Sequence, residues 1–147
     1  MPDKITLTEL NQAWDFLVAS GFHRQILQKL KVISCDSTAG IAIIEMPVEE
    51  IHLNGYKTLH GGVIATLIDV CAFFANSVKA QYLEPAMSTD LTVSYLSTAR
   101  LGDVVRVVTK CNKIGKTMSF NTSEIFANGK LIATGSHSKF AVERPKL

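Results

Sequence analysis

"YKTLHGGVIATLIDVCAFFA", residues 56–75, is a dense apolar run that carries a single carboxylate, Asp69, near its middle. From Val63 onward apolar side chains recur so often that they cover nearly the whole circumference of a helix. The pattern predicts a helix over residues 62 to about 79 that is buried all round. A histidine and two glycines precede this helix, and a core helix needs neither these residues nor the carboxylate.

The rest of the chain divides into segments that can pack around such a helix. Residues 7 to about 30 have apolar side chains at helical spacing, with a break at the "SGF" of residues 20–22. Residues 31–48 indicate two strands joined at "DSTAG", and the polar segment "EEIHLNGYKT" that follows predicts a loop. After the central helix, alternating residues predict four strands separated by turns at "RLGD", "NKIGK" and "ANGK". This order favours an α+β fold in which a meander sheet wraps around the long helix.

Length and composition are those of an ordinary globular chain. No linker or repeat divides the sequence, so we expect one domain over residues 1–147, of which residues 1–30 form an N-terminal helical segment. The hydrophobic content of 47% and the charged content of 19% are typical of a soluble protein. A net charge of +2, from 15 basic and 13 acidic residues, is too even to indicate nucleic-acid binding.

The membrane and the oxidising compartments are disfavoured. Residues 61–75 form the membrane candidate, but they fall short of about 18 apolar residues and include Asp69, so we expect no membrane insertion. The three cysteines are scattered and odd in number, which argues against a disulfide framework. We therefore expect an intracellular protein, and the sequence does not separate cytoplasm from mitochondrion.

Several kinds of chemistry have no motif in this chain. We find no G-x-S-x-G elbow, no H-E-x-x-H, no P-loop and no G-x-G-x-x-G. The four histidines stand far apart, without a cluster at metal-ligand spacing, and nothing in the spacing supports a serine triad. No metal and no organic cofactor are implied.

Asp69 and the glycine pair raise a functional hypothesis. A carboxylate in an apolar helix needs a partner or a polar cavity, because burying it alone costs several kcal/mol. Gly61 and Gly62, at a helix start, offer unobstructed backbone N–H groups to a developing oxyanion. Two other interpretations stay open: Asp69 as a structural residue bonded to a strand or across an interface, and the glycines as points of close packing.

The spacing of these two features limits what one chain can do. Gly61 and Asp69 are eight residues apart, which along a helix is roughly 12 Å at about 1.5 Å per residue. No single reacting group of a few atoms touches both in one chain. Either the features are unrelated, or they meet across a symmetric dimer with two composite sites.

Two segments carry a resemblance to a known family. "NGYKTLHGGVIATLIDVCAFFA" followed by "MSTDLTVSYLSTARLGD" resembles the hotdog-fold thioesterases of the phenylacetate-degradation type. The resemblance covers about residues 45–142, and its specific part is the L-H-G-G-x-x-A-T-L-x-D core. It implies a hotdog fold, a long helix wrapped by an antiparallel sheet, and assembly into homodimers and usually homotetramers.

The resemblance also assigns roles to positions that match the family pattern. Asp69 would be the general base for water or the nucleophile, and the Gly61 amide would polarise the thioester carbonyl. Asn54 would help to hold the carbonyl or the water, and Ser88 would fix the attacking water together with the aspartate. His60 would be a supporting residue. Without the resemblance, Asn54 reads as a turn residue and Ser88 as a solvated strand residue.

The resemblance places coenzyme A along the subunit surface, with its phosphates near basic side chains. The matching positions are Tyr95, Ser97, Thr98, Lys113, Lys116, His137 and Lys139. At Thr98 the family often has proline, which leaves that contact in doubt.

The predicted function is that of an acyl-CoA thioesterase, which hydrolyses acyl-CoA to a free acid and coenzyme A at a site shared by two subunits. The apolar helix flank of Phe73, Phe74 and Val78 accommodates medium- to long-chain fatty acyl groups, and an aryl group also fits. One alternative is a hotdog dehydratase or hydratase acting on acyl thioesters. The other is a non-catalytic acyl-CoA-binding protein.

Overall fold

The computed structural model describes residues 4–142 as three helices, a short 3-10 turn and six strands. The helices are α1 (Leu7–Leu17), α2 (His23–Ile26) and α3 (Gly61–Ala80), and the 3-10 turn is Glu50–His52. The strands are β1 (Lys31–Asp36), β2 (Ile41–Pro47), β3 (Ala86–Tyr95), β4 (Val104–Ile114), β5 (Met118–Ala127) and β6 (Lys130–Ala141). This is the predicted order of elements, with a 3-10 turn inside the segment predicted as a loop.

The strands form one antiparallel sheet in the order β1-β2-β4-β5-β6-β3. The sheet wraps around α3, which confirms the α+β hotdog architecture. The expectation of a simple meander is wrong for β3, which pairs with β6 at the far edge instead of with β4. The turn at Leu101 and Gly102 exists, but it belongs to an eight-residue connection, residues 96–103, long enough to cross between the two positions.

Helix α3 is the core of the fold, although it is not buried all round. Most of its side chains are buried, but Gly62, Thr66, Asp69 and Phe73 are more accessible and follow one another at spacings of four, three and four residues. That spacing places them on one face of the helix. The sheet covers the remaining faces, and the open stripe carries the carboxylate.

The same helix is 20 residues long and apolar enough, by length and composition, to cross a membrane. The sequence-based estimate that the run is too short is therefore wrong. Of the most apolar 18-residue stretch of this helix, 67% is buried inside the protein. A helix covered in this way has the character of a core helix.

The N-terminal helix is anchored at both ends. Thr6 and Glu9 form a capping box, in which the threonine hydroxyl accepts from the Glu9 amide and the glutamate accepts from the Thr6 amide. The Asn11 side chain bonds both the amide and the carbonyl of Val32 on β1. Buried Trp14 donates its indole N–H to the Leu27 carbonyl at 3.3 Å. These contacts hold α1 against the sheet and beside α3.

The contact of β6 with α3 predicts the effect of one small substitution. A Cβ atom at Gly135 would lie 2.7 and 2.8 Å from side-chain atoms of buried Ile68 and 3.2 Å from the Thr92 carbonyl. Gly135→Ala should therefore lower the free energy of unfolding by about 1–3 kcal/mol, the usual cost of overpacking. Chemical denaturation measures this loss.

Gly55→Ala is the matched control, because a Cβ atom there meets nothing within 4 Å. Its unfolding midpoint should stay close to that of the unmodified protein. Equal stability of the two variants would contradict the close approach of β6 to the central helix.

Candidate active site

The Asp69 carboxylate is bonded from a neighbouring strand. Asp69 lies on the open stripe of α3, and its side chain keeps 38% of its accessible surface. Ser88 of β3 donates its hydroxyl to Asp69 Oδ1 at 2.6 Å. A short charge-assisted bond of this kind is one of the stronger hydrogen bonds in proteins. The structure thus brings together Asp69 and Ser88, two of the predicted site residues.

A β-bulge in β3 turns the Ser88 side chain towards Asp69. On β3, Leu91 pairs with His137 and Ser88 pairs with Lys139, so four residues of β3 lie opposite three residues of β6. The extra residue reverses the alternation of side chains, and Ser88 faces the helix on the same side as Leu91. Without the bulge, Ser88 would point away from Asp69.

His137 of β6 lies beside Asp69 and Ser88, and these three residues together with Lys139 form the Asp69 cluster. The His137 side chain is fully buried, and its Nε2 atom lies 2.9 Å from Ser88 Oγ and 3.3 Å from Asp69 Oδ1. Because ionised Asp69 can only accept, Ser88 gives its hydrogen to the carboxylate, and the His137 Nε2–H then donates to the serine oxygen. The resulting chain of bonds fixes the rotamer of Ser88.

Lys139 is the fourth member of the cluster. Its side chain is 9% exposed, and its Nζ atom lies 4.0 Å from Asp69 Oδ1. Burial lowers the pKa of Lys139, while the charge of Asp69 acts in the opposite direction. Burial also lowers the pKa of His137; the positive charge of Lys139 adds to this effect, and Asp69 opposes it.

The positions of these last two residues differ from those implied by the resemblance. His137 and Lys139 were expected at an exposed coenzyme A surface, but both are buried beside the carboxylate. Their contact with coenzyme A stays a prediction, and their contact with the Asp69 cluster is new. One signal was present in the sequence: polar residues two apart on a strand share a face, and on β6 this is the helix face.

At the start of α3, His60 caps the helix, and the amides of the two glycines differ in their hydrogen bonding. His60 is the N-cap residue, and its Nδ1 atom accepts from the Gly62 amide at 2.7 Å. His60 therefore has a structural role as the cap of α3. The Gly61 amide has no acceptor within residues 4–142, so one N–H group remains open at the positive end of the helix.

Asn54 organises the loop that leads to α3. Its side-chain oxygen accepts from the amides of Tyr56 and Thr58, and its side-chain nitrogen donates to the Thr58 hydroxyl. These are the bonds of a turn residue, the reading that the sequence left open beside a catalytic one. The predicted contact with a carbonyl or water is not tested by these bonds.

Gly61 and Asp69 lie in one continuous helix, so their separation along its axis is roughly 12 Å. Tyr95, at the end of β3, stands at the glycine end of the helix. Its hydroxyl donates to the Gly61 carbonyl at 3.2 Å, and its ring approaches the position that a Cβ atom would take. The two ends of β3 thus mark the two halves of the site: Ser88 at the carboxylate and Tyr95 at the open amide.

The remaining coenzyme A positions are dispersed. Lys113 lies near the end of β4, and Lys116 lies in the turn that follows; both are exposed. Ser97 and Thr98 lie in the connection between β3 and β4. These four residues are not gathered around Asp69, and their role stays a prediction.

Other chemistry finds little support in the part of the chain that is described. In residues 4–142, no three His, Cys, Asp or Glu side chains are grouped so that they could hold a metal ion. All three cysteines are free. Cys71, next to the site on α3, is fully buried, and burial raises the pKa of its thiol, which disfavours a thiolate nucleophile.

Comparison with known proteins identifies relatives of this sequence. A family model described as the thioesterase superfamily matches residues 56–133, more than half of the chain. Human acyl-coenzyme A thioesterase 13 is 38% identical over 123 residues, which make up 82% of this chain and 85% of that protein.

Solved structures agree with this result. Zebrafish thioesterase superfamily member 2 superposes with a TM-score of 0.83 at 33% identity, covering 93% of this chain and 99% of that one. The Escherichia coli PaaI protein superposes with a TM-score of 0.76 at 20% identity, covering 94% of this chain and 97% of that one. At that identity the second match shows the fold alone.

The lowered pKa of His137 predicts how stability depends on pH. The ordinary pKa of histidine is 6.5, and the folded state holds His137 below it. Between the two values the unfolded chain binds more protons, so the free energy of unfolding should fall as the pH drops below about 6.5. In His137→Gln, which removes the titrating ring, the loss from about pH 8 to pH 5 should be smaller.

Urea denaturation of both proteins at the two pH values measures this difference. All other titrating groups are common to the two proteins, so the difference between their losses reports on His137 and on its interaction with Asp69 and Lys139. Equal losses would show that the folded state does not disfavour protonation of His137.

Proposed function

Because this chain belongs to the thioesterase superfamily, we propose that it hydrolyses acyl-CoA thioesters to free carboxylic acids and coenzyme A. The observation that carries this proposal is the Asp69 cluster. Ser88, His137 and Lys139 all approach the Oδ1 atom, and Oδ2 accepts no hydrogen bond within residues 4–142. A carboxylate held by one oxygen has the other available to take a proton.

In the proposed reaction Asp69 is the general base. The Ser88 oxygen, which donates to Asp69 and accepts from His137, has one lone pair left for a hydrogen of the water. Asp69 Oδ2 takes the other hydrogen as the water oxygen attacks the carbonyl carbon. When the C–S bond breaks, the thiolate of coenzyme A recovers this proton. No metal and no organic cofactor enter the reaction.

The reaction also requires a hydrogen-bond donor to the carbonyl oxygen of the thioester, and in our proposal the Gly61 amide is that donor. It is the open N–H group at the start of α3, because His60 occupies the Gly62 amide. A donor fixed in advance at this place stabilises the negative charge of the tetrahedral intermediate. In Asn54, the second hydrogen of the side-chain amide is the candidate for an additional donor.

A dimer through β3 brings these two halves together. The outer edge of β3 has no partner strand within residues 4–142, and its ten residues include exposed Met87, Leu91 and Tyr95. A long strand edge without a partner is a template for pairing with another strand. In an antiparallel pair centred on β3, Tyr95 of one chain lies opposite Ala86 of the other, two residues from Ser88. The Gly61 amide of one chain then approaches the Asp69 of the other.

We extend the proposal to the assembly and the compartment. Two such dimers form the homotetramer that the family resemblance implies, and coenzyme A lies along the exposed residues predicted for it. The acyl group is a medium- to long-chain fatty acyl group. The three free cysteines are compatible with a reducing compartment, the cytoplasm or the mitochondrion.

Asp69→Asn tests the proposal. If Asp69 activates water, the variant should lose about 10²–10⁴ in kcat with little change in acyl-CoA binding. Release of the coenzyme A thiol, followed with a thiol reagent, measures turnover. Asp15→Asn makes the same chemical change at an exposed position of α1 and should keep full activity.

Three other outcomes would contradict parts of this account. Near-normal turnover in folded Asp69→Asn would remove the carboxylate from the reaction. An unmodified protein that binds acyl-CoA without releasing thiol would be a binding protein. One that instead interconverts enoyl- and hydroxyacyl-CoA would be a hydratase or dehydratase.

A further inference from the structure

A pocket of about 440 Å³ opens beside the Asp69 cluster. Asp69, Ser88 and Lys139 lie in its wall. The rest of the wall is mainly apolar and comes from several elements, including Phe73 of α3 and Val142 after β6. A cavity that is largely apolar and has a few convergent polar groups has the character of a ligand site.

The N-terminal helical segment supplies another part of this wall. Trp14 and Leu17 of α1 and His23 of α2 all line the pocket. Trp14 is locked in place, because its indole donates to the Leu27 carbonyl and its ring packs edge-on against Phe74. His23 lies 5.7 Å from the Trp14 ring. The wall is therefore formed before any ligand binds.

The apolar helix flank was expected to include Phe73, Phe74 and Val78. Phe74 and Val78 have no exposed surface, so they belong to the core and cannot touch an acyl chain in this conformation. Phe73 lines the pocket on the α3 side. The space for the acyl group thus extends towards α1 instead of along the helix flank.

Resting on the proposed thioesterase activity, we infer that α1 and α2 select the acyl group, with Leu17 as a specificity-determining residue. The mainly apolar wall beside the Asp69 cluster suits the medium- to long-chain acyl group of the proposed function. A short acyl group would leave most of the apolar wall in contact with water.

Leu17→Trp tests this assignment. Leu17 is 44% exposed at the end of α1, so a larger side chain can be accommodated without disturbing the core while it narrows the pocket. Phe16→Trp is the matched control, since Phe16 is the adjacent residue, is 81% exposed and does not line the pocket.

The probes are S-hexadecyl-CoA and S-butyl-CoA, thioethers that cannot be hydrolysed. In Leu17→Trp, the Kd of the hexadecyl compound measured by calorimetry should rise by about tenfold or more, the usual effect of misfit in an apolar pocket. The Kd of the butyl compound should stay unchanged, and Phe16→Trp should alter neither value. The kcat/KM values for the two corresponding acyl-CoA substrates should follow the same pattern.

An unchanged ratio of the two Kd values in Leu17→Trp would overturn the inference. If circular dichroism shows that this variant is unfolded, Leu17→Ser makes the same wall polar without adding volume, and the hexadecyl compound should again bind more weakly. Because binding is measured without turnover, failure of this inference is distinct from failure of the proposed function. The latter would appear as the absence of thiol release from unmodified protein.

Discussion

A carboxylate on the helix that fills the core is the constraint around which this structure is arranged. Taking such a charge away from water without partners costs several kcal/mol. Asp69 avoids this cost because it lies on the accessible stripe of α3 and because its Oδ1 atom accepts a hydrogen bond from Ser88. His137 and Lys139 also lie close to the same oxygen. These partners come from β3 and β6, so the pairing of the two strands and the bulge between Ser88 and Asp90 are tied to the position of the carboxylate.

The same contacts support the reactivity that we propose for Asp69. The partners hold one oxygen of Asp69 and leave the other without a hydrogen bond among the described residues. A neutral His137 suits this arrangement, because burial and the charge of Lys139 lower its pKa while its Nε2–H holds Ser88. We therefore propose that His137 positions Ser88 and that Lys139 acts on Asp69 through its charge.

Much of this fold follows from periodicity. The apolar run at Val63 and beyond predicted the central helix, because this density of apolar residues reflects burial on α3. The turn-rich "DSTAG" indicated the first two strands, and the change to alternating residues predicted the four strands after the helix. Strand order was not predictable in the same way. Nothing local in "RLGD" separates a hairpin from a crossover, and the bulge that turns Ser88 inward depends on pairing with β6.

In the site, too, features of the local sequence were predictable, and features that depend on tertiary contacts were not. Asp69 and the glycine pair were visible as departures from a core-helix pattern, whereas the burial of His137 and Lys139 depends on which face of β6 meets the helix. A glycine amide and a carboxylate two helical turns apart cannot act on one thioester within a chain. The edge of β3, which has no partner strand within residues 4–142, is the surface through which we propose that two chains complete each other's sites.

Co-refolding of two inactive variants tests this shared site most directly. Gly61→Pro removes the open amide at a helix position where proline is tolerated, and His60 already has the extended backbone that a following proline requires. Asp69→Asn removes the base, and Gly61→Ala, which retains the amide, controls for added bulk. Random reassortment makes about half of the dimers mixed, each with one intact site of two, so roughly a quarter of the unmodified activity should return. If mass spectrometry confirms mixed dimers and no activity returns above that of separately refolded mixtures, Gly61 and Asp69 do not act together across an interface.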